Sequence, residues 1–271
     1  MKMAKPSLIR SWRRWLPLVA ILVASPLLLW LEYGKPMTDD PVLLPLMRMS
    51  LSRLAAAGVF FVILLVQDYR VLNPWRAPFG RSLLLTLPAF AVVINNMPIL
   101  SMIWGDAYII HGAPVYWIWF ALESLAIGLF EEITFRGVIL LRFAESRRSS
   151  HKGLLWSILL SSAVFGAMHA VNLLAGAGPV AVLMQVGYSF LIGAMCAVVL
   201  FKTANLFLCV VLHAVYDFCG MLLPTLGDGH WWDTPTVVFT AILAVAVTIY
   251  MVVLFARMNI RETDRLYAPK S

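Results

Sequence analysis

Residues 115–141 form an apolar run longer than the roughly 20 residues a helix needs to cross a bilayer core. Runs of similar length recur from one end of the chain to the other, at about 14–33, 46–67, 83–104, 115–141, 153–174, 179–201, 204–225 and 235–256. A chain built this way has few folds open to it. In lipid every backbone N–H and C=O must be satisfied within the protein, which leaves helices or a closed barrel. Runs this long, without strict alternation, are helical. The expectation is an all-α polytopic membrane protein of about eight transmembrane helices. Residues 1–271 would form a single integral membrane domain with a polar cavity inside the bundle.

Composition agrees. Hydrophobic residues make up 61% of the 271 and charged residues 13%, against about 45–50% and about 25% in soluble domains. The formal net charge of +7 does not point to nucleic acid, because the basic residues sit in the gaps between apolar runs. With the N-terminus inside, the inner segments carry Arg10, Arg13 and Arg14, then Arg70, Arg76 and Arg81, then Arg142, Arg147, Arg148 and Lys152, then Lys202, then Arg257, Arg261 and Arg265. The outer loops GKPMTDDP, GDAYIIHGAP, AGAGP and GDGHWWDTP hold one lysine and no arginine. This bias predicts a multi-pass protein of the inner (plasma) membrane with both termini cytoplasmic. Arg48 and Arg53 are the exception, falling in the outer turns of the second run. They either snorkel to the interface or mark a segment, residues 42–53, lying partly along the surface. Trp231 and Trp232 suit an outer aromatic belt. No small-x-small site follows the first apolar stretch, so a retained first span is expected there. Cys196, Cys209 and Cys219 lie inside apolar runs and read as packing residues, with no disulfide framework or zinc spacing. Asn95, Asn96 and Pro98 break the third run, either as a kink satisfied by its neighbours or as a break lining a substrate path.

Ionisable residues well inside spans are Glu123, Glu131, Glu132, Arg136, His169, His213 and Asp217. Each is costly at that depth and marks a candidate site. Glu132 and Arg136 are i,i+4 neighbours in the order that favours an ion pair. Glu131 and Arg136, five apart, lie roughly 140° around the helix, so Glu131 points elsewhere and stays available as a general base. His213 and Asp217 share one face of their span, as do Phe165 and His169. Counted from the inner ends, Glu131 comes at roughly 15 Å, His213 at roughly 13 Å and His169 at roughly 24 Å. Glu123 reads as interfacial or water-facing. His111, His151 and His230 sit in loops.

Glu131-Glu132-x-x-x-Arg136, Phe165-x-x-x-His169 and His213-x-x-x-Asp217, each on its own hydrophobic span, resemble the motifs of the CPBP (Abi, CAAX protease-like) intramembrane endopeptidases, which are Rce1-related. The resemblance covers about residues 115–220, the expected catalytic core. It implies that Glu131 and His169 activate a water for attack on a peptide carbonyl. It implies that His213 and residue 217 stabilise the oxyanion, and that Glu132 and Arg136 hold the site together. Its substrates would be peptides or proteins in or near the bilayer, prenylated CAAX peptides among them. No cofactor is implied by the glutamate-type mechanism. The departure is Asp217, where the family often has asparagine. An ionised aspartate only accepts hydrogen bonds, so Asp217 carries a proton, or orients His213 through its ring N–H, or the site differs from the family's.

Three other readings stay open on the residues. Two histidines and a glutamate, with water in a fourth position, form a reasonable zinc set for a metalloprotease, although no HExxH motif is present. Buried Glu, His and Asp also build the relays of proton-coupled transporters, which usually carry internal repeats not found here. A non-enzymatic membrane partner protein is the third. Oligomeric state is not legible.

Overall fold

The computed structural model describes residues 40–67, 69–73, 77–229 and 234–267, together with Leu16, Val19, Ala20 and Leu31. The predicted first span, the basic N-terminal residues, Arg76, His230, Trp231 and Trp232 lie outside the described residues, apart from those four positions.

The described chain is helical almost throughout, as lipid requires. In order come α1 (Leu43–Val66), α2 (Phe79–Asn95), α3 (Ile99–Trp104), the short strand β1 (Ala107–Ile109) and α4 (Pro114–Glu132). α4 continues without a break into a π-helix, Ile133–Leu140, and then α5 (Leu141–Glu145). α6 (His151–Met168) runs on as a 3-10 turn, His169–Leu173. α7 (Pro179–Thr203), α8 (Leu206–Leu226), β2 (Gly227–Gly229), α9 (Thr234–Ala256) and a final 3-10 turn, Ile260–Leu266, complete it.

Five helices among the described residues are long and apolar enough to cross a membrane: α1, α6 with its 3-10 extension, α7, α8 and α9. This is fewer than the expected eight or so, of which the first span lies outside the described residues; for two others the reasons are local. The third run stops at Asn95, because Pro98 lacks the N–H a continuing helix would use; α2 is left at 17 residues, and α3 restarts beyond it. The fourth run carries Glu123, Glu131 and Glu132 in α4, which dilute its hydropathy, and it changes helix type at Ile133. The protein is still a multi-pass, all-α membrane architecture. Its outward positions are apolar, as on α9, where Val238, Phe239, Ile242, Val245, Ile249 and Val252 are all exposed. A water-soluble chain would not expose a patch of that extent.

Short-range chemistry sets the turns. Ser150 caps α6, its Oγ accepting from the Gly153 N–H at 3.1 Å. Asn205 caps α8, its Oδ1 accepting from Leu208 N–H at 3.3 Å. Between α7 and α8 the chain reverses through Ala204, whose φ of 52° is left-handed. Pro114 and Pro179 open α4 and α7 at positions where the missing N–H costs nothing.

The two ends of the bundle differ. At one, β1 and β2 pair antiparallel, Tyr108 opposite Asp228, so two loops predicted to share the outer side do share an end. Asp40 lies before α1 and accepts from the Leu43 and Val42 N–H groups and from the Tyr116 hydroxyl. These bonds hold its carboxyl below the usual carboxylate range. At the other end the predicted inner segments gather. Tyr69 bridges Tyr267, Arg148 pairs with Asp264 at 2.9 Å, Lys202 with Glu262 at 3.0 Å, and His151 Nε2 meets the Met258 carbonyl at 2.8 Å.

Candidate active site

α4 packs on α1 and α8, and α6 packs on α7. Glycines set how closely these helices approach. A Cβ at Gly128 would lie 3.0 Å from the Val210 carbonyl oxygen, and one at Gly166 would lie 2.8 Å from that of Val186. α4 is therefore tight against α8 one turn before the paired glutamates, and α6 is tight against α7 just before His169.

At the end of α4, Glu131 and Glu132 project about 100° apart, and together they bracket the His213 ring presented by α8. Glu132 Oε1 lies 2.7 Å from His213 Nδ1. Glu131 Oε2 lies 3.4 Å from His213 Nε2. Asp217, one turn along α8, brings Oδ2 to 3.6 Å from the same Nε2, beyond hydrogen-bond reach. Of the alternatives for Asp217, a hydrogen bond orienting His213 does not fit this distance: Glu132 holds the ring through Nδ1, and Asp217 flanks Nε2. Asp217 Oδ2 is buried with no hydrogen-bond partner. Glu131 is less isolated than predicted, since it shares His213 with Glu132.

Arg136 is the counter-ion. Its Nη1 lies 2.9 Å from Glu132 Oε1, off the line of a directed hydrogen bond, so the contact is ionic. Both side chains are sealed from solvent, at 1% and 0% exposure. The guanidinium also lies over the Phe165 ring, 4.3 Å from its centroid. Gly193 on α7 makes the room: a Cβ there would lie 3.2 Å from both Arg136 Nη2 and Phe165 Cδ1. Arg136 comes from the π-helix, a conformation that is rare and frequent at functional sites. Ser161 Oγ on α6 donates to the π-helical Phe135 carbonyl at 3.1 Å, serving a backbone group within the irregular stretch.

Phe165 is the hub between the motifs. Its ring meets the His169 ring at 5.0 Å and the His213 ring at 5.8 Å, each edge to face. His169 follows the end of α6, with Nδ1 3.0 Å from the Phe165 carbonyl oxygen. A carbonyl only accepts, so Nδ1 carries the hydrogen. In the neutral ring Nε2 then presents its lone pair, with Ser189 Oγ at 3.5 Å.

Glu131, His169, His213 and Asp217 line one cavity of about 1360 Å³. The cavity follows α6 from His151 to His169, so the depth difference expected between His169 and the other two does not separate them. Glu132 and Arg136 stand behind the wall. Glu123 and Arg53 line the same cavity. Arg53 also lies over the Phe130 ring, 5.2 Å from its centroid. At the helix break, the Asn96 Nδ2 donates to the Tyr216 carbonyl of α8 at 3.3 Å, and Asn96 lines the cavity.

Among the described residues, the His, Cys, Asp and Glu side chains close enough to hold a metal ion together are Glu132, Cys196 and Cys209. This group contains neither histidine of the zinc set predicted from sequence.

Residues 113–219 match the family model of the type II CAAX prenyl endopeptidase Rce1-like proteins. The Rce1-like segment covers under half the chain, begins at the cap of α4 and ends in α8, so it encloses all three motifs. No curated protein and no solved structure matches the chain. Several features of the Rce1-like segment were missed in sequence: the π-helix, the stacking of Phe165 on Arg136, and Ser189 opposite His169. Gly193, one of two glycines in α7, is the residue whose small size permits the stacking.

Proposed function

We propose that the protein is an intramembrane endopeptidase that hydrolyses a peptide bond at or within the bilayer with a Glu- and His-activated water. The observation that carries the reading is the convergence of Glu131, His169, His213 and Asp217 on one cavity, with His213 held between carboxyl groups. Glu131 takes a proton from the attacking water, and His169, whose Nε2 is the accepting nitrogen, assists. The developing oxyanion takes hydrogen bonds from His213 Nε2–H and, in its protonated form, from Asp217. The proton then passes to the leaving amine, so one water is consumed and an acid and an amine are released. Glu132 and Arg136 are positioning residues: Glu132 fixes the His213 ring through Nδ1, and Arg136 fixes Glu132. On this reading residues 115–220 are the catalytic core of a single membrane domain. The basic end of the bundle faces the cytoplasm of an inner-membrane protein, and the substrate is a peptide or protein that reaches the cavity from the membrane.

The test is cleavage of membrane peptides by purified variants in detergent or liposomes. Glu131→Gln is expected to lower the rate by about 10²–10⁴-fold, the range of a general base, with normal yield and thermal midpoint. Glu123→Gln, on the same cavity, is expected to keep most activity. Equal rates for the two variants would falsify the assignment of the base. Proton-driven uptake that changes in Glu131→Gln, with no cleavage in the wild type, would replace it with a transporter. Asp217→Asn is expected to retain activity, since an amide always offers a donor where the carboxyl needs a proton. Loss of turnover in that variant would assign Asp217 a role that needs its charge.

A further inference from the structure

Glu132, Cys196 and Cys209 come from three helices, α4, α7 and α8, and meet in the sealed interior. Their ligand atoms lie within 4.8 Å of one another, and none of the three residues has measurable exposure. The sequence alone made the two cysteines packing residues. Two observations argue for more. The Glu132 carboxylate uses Oε1 for both His213 and Arg136, while Oε2 is buried with no hydrogen-bond partner; a buried carboxylate oxygen in that state has room in its bonding for a water or an ion. The two cysteines are also direct neighbours across α7 and α8: Cys209 Sγ donates to the Cys196 carbonyl at 3.3 Å.

We infer that Glu132, Cys196 and Cys209 form a binding site for one divalent thiophilic ion of the zinc class, separate from the histidines of the cavity. Two thiolates and a carboxylate oxygen supply three protein ligands, with the fourth position left to water. Zn–S bonds of about 2.3 Å at a tetrahedral angle need sulfurs roughly 3.8 Å apart, so the cluster closes by about 1 Å or less. Charge favours a divalent ion: two thiol protons leave as it binds, so the buried charge is unchanged and the Arg136–Glu132 pair keeps its balance. A monovalent ion would leave a net negative charge in a medium that penalises it. The ion would rest on the residue that holds His213, which couples this site to the cavity.

Cadmium is the probe, because cadmium thiolates give an ultraviolet charge-transfer band. The full chain is purified in detergent with a non-thiol reductant and titrated with Cd²⁺. A second preparation is expressed in Cd²⁺-supplemented medium, so that the ion is present as the helices close. The expected result is a saturable band at one ion per chain, displaced by Zn²⁺, with a raised thermal midpoint. Cys196→Ala and Cys209→Ala each remove at least half of the band, and Cys219→Ala leaves it intact. Should the first two variants fail to fold, X-ray absorption on the zinc-loaded wild type decides, with two sulfurs and light oxygen ligands expected. A band in neither preparation, a full band in the double cysteine variant, or a shell of histidine nitrogens overturns the inference.

Discussion

Two ion pairs in this protein have the same length and opposite meanings. Arg136 and Glu132 meet at 2.9 Å in the middle of the bundle, and Arg148 and Asp264 meet at 2.9 Å at its basic end. The first pair is sealed at 1% and 0% exposure, while the second stands at 20% and 62%. Around the first, each contact is tied to another: Glu132 to His213, Arg136 to Phe165, and Phe165 to both imidazoles. Around the second, the partners are neighbouring side chains at a polar boundary, where Arg148 also lies over Tyr267 and water can take over. The distance between charges therefore says little about what a pair does. The medium, and the number of groups that depend on the pair, decide whether it organises a site or decorates an interface.

The sharpest way to break this contrast is to remove one charge from the buried pair. Arg136→Met keeps the length of the side chain and deletes the guanidinium. Glu132 is then left buried with the His213 ring as its remaining partner, a loss expected to cost about 3–5 kcal/mol. Thermal unfolding in detergent should show a large drop in midpoint, with cleavage lost alongside. A midpoint within error of the wild type would mean that Glu132 carries a proton in the native state and that the pair is not an ion pair.

A smaller effect is expected from Gly193→Ala, which leaves every charge in place. The added methyl would press on Arg136 and Phe165, both fixed by other contacts, and overpacking of this kind costs about 1–3 kcal/mol. Activity should fall more than stability, because the shift passes through Phe165 to His169 and His213. An unchanged turnover with a lowered midpoint would separate packing from positioning at this residue.

The legible part of the molecule follows the same division by environment. Helices at 43–66, 151–168, 179–203, 206–226 and 234–256 could be read from apolar length alone, because lipid leaves the backbone no alternative. The partnership of Glu132 with Arg136 followed from spacing, since the i,i+4 relation survives at the junction with the π-helix. Bringing His169, His213 and Glu131 to one place required interhelical geometry that periodicity within a helix does not contain. The same holds for the meeting of Cys196 with Cys209, and for Phe165 beneath Arg136. The helix change at Ile133 left no signal in composition, and the two-stranded ribbon joins three-residue segments too short for alternation to reveal. Where reading by length overshot, at residues 83–104, a proline with two asparagines was the cause; at 115–141 the chain stays helical to Glu145, and the carboxylates only lower its hydropathy. Both places supply residues to the cavity.

The smallest expected effect completes the contrast at the basic end. Asp264→Asn removes the acceptor of Arg148 while keeping the side-chain shape. The pair is largely solvated, and Arg148 retains the Tyr267 ring, so the cost should not exceed about 1 kcal/mol. Added salt should leave the variant unchanged while weakening the wild-type pair, drawing the two midpoints together. Cleavage should be unaffected, since none of these groups lines the cavity. A loss in Asp264→Asn comparable to that in Arg136→Met would mean that the 3-10 turn at 260–266 clamps the bundle through this one carboxylate. The distinction between the two pairs would then rest on which helices they tie and no longer on the medium around them.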